Sequence, residues 1–134
     1  MKADFEKAGL LTFRDGRVLL CRKKHTTSLL ILPGGVKEAG ETAEDCLRRE
    51  VREELGEVVL GPLIFLGDYV SPAAVEGKTV RVELFAGELN GEPVAASEIK
   101  ELVWFGADDD PGMLAPSLRD LIFPELRRRG LLWV

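Results

Sequence analysis

Apolar and polar residues alternate with a period of two over several stretches of this chain, and recur with a helical period over two others. Residues 7–14 and 17–23 carry strand-like runs on either side of Asp15-Gly16, a dipeptide suited to the positive backbone angles of a hairpin turn. Residues 28–32 form a short apolar run stopped by Pro33-Gly34-Gly35, which reads as a turn. Residues 58–69 are strand-like, with breaks expected at Gly61-Pro62 and near Gly67. Over 79–89, Val80, Val82 and Leu84 share one face, and Asn90-Gly91 turns the chain. Residues 99–105 read as a further strand and 108–112 as a loop. Helical periodicity covers 42–55 and 116–129; Pro116 opens the second helix, Gly130 closes it, and Pro124 is expected to kink or split it. Mixed strands with two helices predict an α/β (α+β) sandwich. Without repeats or linker-like stretches, residues 1–134 read as a single domain.

The first helix carries acids where a helix built only for packing would not. Thr42 followed by Asp45 resembles a capping box, and Gly56 follows the last turn. At about 100° per residue, Ala43, Leu47, Val51 and Leu55 form one apolar stripe. Glu54 projects into that stripe, Glu50 lies at its edge beside Cys46, and Glu53 lies further round the same side. Arg48, Arg52 and Asp45 fall opposite. A solvated, salt-bridged helix accounts for Arg49 and Glu53 at i,i+4. It does not account for Glu54, because a carboxylate on an inward face must be paired or lose its charge. Three acids on one edge repel one another and call for a cation. Oxygen-only ligands select hard ions, Mg²⁺ first and Mn²⁺ second.

Composition narrows the chemistry further. Apolar residues make up 46% and charged residues 31% of the 134, the balance of a globular chain. Lys plus Arg (18) against Asp plus Glu (23) gives a net charge of −5, which argues against long nucleic acid as a partner. His25 is the only histidine, and Cys21 and Cys46 form no CxxC pair, so Cys/His zinc sites and His-cluster metal sites are excluded. Two separated cysteines, an acidic N-terminus where a signal peptide would be basic, and no apolar run long enough to span a bilayer point to the cytoplasm.

The upstream glycines and the acidic helix combine into one pattern. Gly35, five residues, Glu41, seven residues, then Arg49-Glu50-Val51-Arg52-Glu53-Glu54-Leu55-Gly56 resembles the Nudix box, GX5EX7REUXEEXGU, where U is a bulky aliphatic residue. Glu57 replaces the aliphatic residue at the last position, a departure that touches packing at the helix exit more than the acids.

That resemblance implies a Nudix-type α/β/α sandwich with a mixed β-sheet, hydrolysing a nucleoside diphosphate linked to a second moiety. It implies metal binding by Glu50, Glu53 and Glu54 with a main-chain carbonyl of Gly34 or Gly35, and Arg49 orienting a glutamate of the helix. Glu41 would support the loop or an outer metal. Glu98, with Glu101 as substitute, is the candidate for a further carboxylate, and the general base is left open among Glu53, Glu54 and Glu98.

Substrate contacts are expected from Arg22, Lys23 and Lys24, with Gly34, Gly35 and Glu41 beside the phosphates. Phe13, Tyr69, Phe85 and Trp104 are candidates to stack a base, though aromatic residues also build cores. The compact length resembles that of Nudix enzymes that cleave nucleoside triphosphates, and the resemblance implies a nucleoside triphosphate or related small nucleotide as substrate. Pro72, with fourteen residues between it and the box, resembles a proline of ADP-ribose-directed Nudix enzymes and supports ADP-ribose or a nucleotide sugar as the alternative. Two further alternatives are a regulatory module that binds nucleotide without turnover, and an RNA-end hydrolase using Arg127-Arg128-Arg129. A small nucleotide is thus the expected partner, with the chain a monomer or homodimer and no membrane involved.

Overall fold

The computed structural model describes residues 3–25, 28–72 and 77–133. Met1 and Lys2, at the acidic N-terminus, lie outside the described residues. Strand β1 (Phe5–Leu11) is one of the two inner strands of a four-stranded mixed sheet. It pairs antiparallel with β4 (Gly34–Val36) and parallel with β7 (Thr79–Ala86), and β7 pairs antiparallel with the edge strand β6 (Ile64–Pro72). A second sheet joins β2 (Phe13–Arg14), β3 (Arg17–Lys23) and β9 (Ile99–Phe105), and β5 (Val59–Leu60) pairs with β8 (Leu89–Asn90). Helix α1 (Ala43–Leu55) packs Ala43, Leu47, Val51 and Leu55 on Ala8, Leu10 and Phe85. Strand alternation sends Leu11 and Leu84 to the other core, against Leu118, Ile122, Phe123 and Leu126 near the C-terminus. The layered mixed α and β architecture agrees with expectation. Among the described residues, no helix is long and apolar enough to cross a membrane.

Three local differences from the sequence reading have physical causes. The strand expected over 7–14 breaks at Thr12, whose carbonyl accepts from the Leu19 amide at 3.1 Å as the chain passes between sheets. The Asp15-Gly16 hairpin then forms with φ of 53° and 76°. The strand expected over 79–89 ends at Ala86, and Leu89 and Asn90 pair with β5 instead. Gly34-Gly35, read as a turn, is sheet: Gly34 faces Gly9 and Gly35 faces Ala8. The segment over 116–129 forms a wide π-helical turn, Leu118–Ile122, and then helix α2, Phe123–Arg128. Pro124 lacks the N–H that a regular helix would use, and the helical segment widens just before it rather than running on unchanged.

Candidate active site

A cleft of about 420 Å³ opens between the mixed sheet, the acidic edge of α1, the segment before β9 and the residues leading into α2. Glycine makes its wall possible. Gly34 has φ 137°, and a side-chain carbon there would sit 2.0 Å from the Ala8 carbonyl oxygen. A side-chain carbon at Gly35 would sit 2.5 Å from Glu50 Cδ and would displace that carboxylate from its place beside β4.

The acids of α1 meet this wall. Thr42 caps the helix by accepting from the Asp45 amide at 3.1 Å. Glu54 is only 5% exposed, and its Oε1 accepts from the Gly34 amide at 2.9 Å. Burial raises its pKa to about 7 against the opposing Gly34 hydrogen bond, and the charge of Glu50 adds to the rise. Burial also raises the pKa of Glu50, opposed by Arg49. Glu53 is half exposed at the mouth.

Arg49 organises the outer side. Its Nε and Nη2 donate to the two oxygens of Glu41 at 2.7 and 2.9 Å, a bidentate pair. Its Nη1 donates to Glu50 Oε1 at 2.9 Å and to Glu53 Oε1 at 3.4 Å, while Nη2 reaches the Val36 carbonyl at 3.3 Å. The guanidinium, helped by the Glu38 amide, holds the Glu41 carboxyl down at about 2. Arg48, expected on a solvated face, instead donates to the carbonyls of Leu60 and Gly61 at 2.8 and 3.0 Å and ties α1 to β5.

Among the described residues, no group of three acidic, cysteine or histidine side chains closes around one point. The carboxylates turn instead to Arg49 and to the Gly34 amide. Their chemistry still fits a hard divalent cation. The donors are oxygens, one carboxylate is buried, and Glu50, Glu53 and Glu54 carry more negative charge than Arg49 offsets. The Gly35 carbonyl lies beside them and accepts from Cys46 Sγ at 3.4 Å. Both cysteines are buried, and burial pushes Cys46 up to about 11 and Cys21 to about 12, so neither offers a thiolate.

The remaining sequence candidates divide. Glu98 lines the cleft at its rim. Glu101 is paired with Arg22 outside it. Arg22 also donates to the Ser28 carbonyl, and neither Arg22 nor Lys24 lines the cleft; alternation along β3 gives that place to Lys23. The four candidate aromatics lie elsewhere. Tyr69 and Phe85 are in the cores, Trp104 carries Arg14 at 5.1 Å from its ring centroid, and Phe13 borders a separate apolar groove. Pro72 ends β6 away from the cleft lining. Of the C-terminal arginines, Arg128 pairs with Glu125 and Arg129 donates to the Leu66 carbonyl. Sequence reasoning missed Lys7, Ser97 and Ser117, which line the cleft. The signal for Lys7 was a lysine on the same face of β1 as Phe5, Gly9 and Leu11.

A family model described as the NUDIX domain matches residues 6–123. An "ADP-ribose pyrophosphatase" of Methanocaldococcus jannaschii is 31% identical over 103 residues, covering 73% of this chain; the chain spans 59% of that relative's length. A "Nucleoside triphosphatase NudI" of Escherichia coli is 29% identical over 131 residues, covering 88% of this chain and 91% of the relative. The crystal structure of a MutT NUDIX hydrolase from Burkholderia pseudomallei superposes with a TM-score of 0.75 at 29% identity, covering 86% of this chain and 92% of that one. Nudix hydrolases generally use divalent metal ions. With the match running through the glycine wall and the acidic helix alike, this chain belongs to the Nudix hydrolase family.

Proposed function

We propose that this chain, as one Nudix domain in the cytoplasm, hydrolyses a phosphoric anhydride bond of a nucleoside triphosphate or related small nucleotide, releasing monophosphate and diphosphate. The observation that carries the reading is Glu54, a buried carboxylate raised to about 7, beside Glu50 and Glu53 at the edge of an open cleft. A fold that only packed would not keep such a group. The near full-length similarity to a relative named as a nucleoside triphosphatase supports the substrate class.

Glu50, Glu53 and Glu54, with the Gly35 carbonyl, would hold Mg²⁺ or Mn²⁺. The cation supplies charge neutralisation and polarisation of a phosphoryl oxygen. Arg49 fixes Glu41 and Glu50 so that the acids keep their positions as charge develops. One of Glu53, Glu54 and Glu98, all of which line the cleft, would take the proton from the attacking water. In-line attack then expels the phosphate-terminated leaving group.

The similarity to the M. jannaschii ADP-ribose pyrophosphatase favours ADP-ribose as a second reading. A panel of nucleoside triphosphates, ADP-ribose and nucleotide sugars, each with Mg²⁺ or Mn²⁺, separates them by the products released. Diphosphate and a nucleoside monophosphate from triphosphates support the first reading, and AMP from ADP-ribose alone supports the second. Absence of turnover with every substrate would leave a binding module and overturn both.

A further inference from the structure

Lys7 stands near the centre of the mixed sheet, in register with Val36 of β4 on one side and Val82 of β7 on the other. It lines the cleft together with Val80, Val82 and Gly9. A side-chain carbon at Gly9, the next position on that face, would come within 3.2 Å of Val82 Cγ1 and 3.4 Å of Leu32 Cδ1. The floor beside Lys7 is therefore apolar and closely packed by Val82 and Leu32.

A half-buried ammonium on the face of a sheet loses hydration and needs a partner. Lys37, the residue after β4, has one in Glu83 at 2.7 Å. Lys7 makes no side-chain hydrogen bond or ion pair among the described residues. The acids whose charge it feels, Glu54 and Glu50, are already served by the Gly34 amide and by Arg49. Lys7 is thus a cation facing an open cleft with its partner still to come.

We propose that Lys7 is a substrate-binding residue whose ammonium takes a phosphate oxygen of the nucleotide on the sheet side of the cleft, across from the acids of α1. This rests on the anhydride-hydrolase reading above and adds to it the group that holds the polyphosphate. A polyphosphate chain carries more negative charge than one divalent cation cancels, so a fixed cation on the opposite wall complements it.

The test combines steady-state kinetics of the full chain on ATP, GTP, CTP and UTP with calorimetric titration of inorganic diphosphate, both in Mg²⁺. Lys7→Met keeps the length of the side chain and removes its charge. It should raise KM for every triphosphate the wild type hydrolyses, and weaken diphosphate binding, by about tenfold to a hundredfold, the scale of one charge-assisted hydrogen bond. The fall in kcat should be much smaller. Lys7→Arg should recover most of the affinity.

Unchanged diphosphate affinity in a folded Lys7→Met variant would overturn the proposal. So would a loss confined to one base, which would put the ammonium on a base carbonyl. A fall in kcat at constant KM, accompanied by a lower Tm, would make Lys7 structural and also overturn it. If the wild type hydrolyses none of the triphosphates, the triphosphate reading fails, while the diphosphate titration still decides the role of Lys7.

Discussion

Glu54 concentrates the conflict between packing and chemistry in one side chain. Its folded pKa of about 7 lies above the ordinary carboxylate value, so the folded state binds more protons than the unfolded state between roughly pH 4.5 and 7. Stability of the chain without divalent ions should therefore fall as pH rises through that window, by at most about 3 kcal/mol from this group. Thermal melts in chelator from pH 4.5 to 8 read the slope. Glu54→Gln keeps an oxygen to accept from the Gly34 amide and should flatten it; an unchanged slope in that variant would assign the effect elsewhere. The same substitution should lower turnover by orders of magnitude, as should Glu53→Gln, because metal-centred charge stabilisation is worth several kcal/mol. Arg52→Gln, on the exposed side of α1, is the control and should leave turnover near wild type. Wild-type rates in both glutamine variants would remove α1 from the active site.

At the scale of elements, legibility followed how local the determinants are. Helix α1 was readable because its stripe, its Thr42 cap and its acids all lie within four turns, and Leu47 and Val51 are buried where the period put them. Strand β4 was not readable. Gly34-Gly35 carries the signature of a turn, and only pairing with β1 makes it a strand. Arg22 and Lys24 were expected beside Lys23, which alone of the three lines the cleft, for a related reason: alternation says that Lys23 and its two neighbours face opposite ways, but not which face meets the site. These differences set the expected stability effects. Leu47→Ala removes a fully buried side chain between α1 and the sheet and should destabilise by about 2–5 kcal/mol. Thr42→Ala removes one capping hydrogen bond and should cost about 1 kcal/mol. Urea unfolding midpoints order the two variants. A Thr42→Ala effect equal to that of Leu47→Ala would mean that the cap, and not the stripe, docks the helix.

On the scale of the whole molecule, an acidic chain with net charge −5 is asked to hold an anionic substrate. The fold answers by segregation. Carboxylates gather on the α1 edge of the cleft, Lys7 and Lys23 stand on the sheet side, and the backbone of β4 runs between them. Such a cleft should gain its affinity for nucleotide from the cation it takes up first, and that uptake is linked to protons. Glu54 must be ionised to serve as a ligand, so divalent binding should release a proton and tighten as pH rises through about 7. Mg²⁺ or Mn²⁺ at a hundred times its dissociation constant should stabilise the chain by about 2.7 kcal/mol. The gain in Tm should be larger at pH 8 than at pH 5.5, opposite in sign to the slope expected in chelator. In Glu54→Gln the pH dependence of that gain should largely vanish. Calorimetry in two buffers of different ionisation enthalpy measures the proton released; metal binding with no proton release near pH 7 would show that Glu54 is not among the ligands.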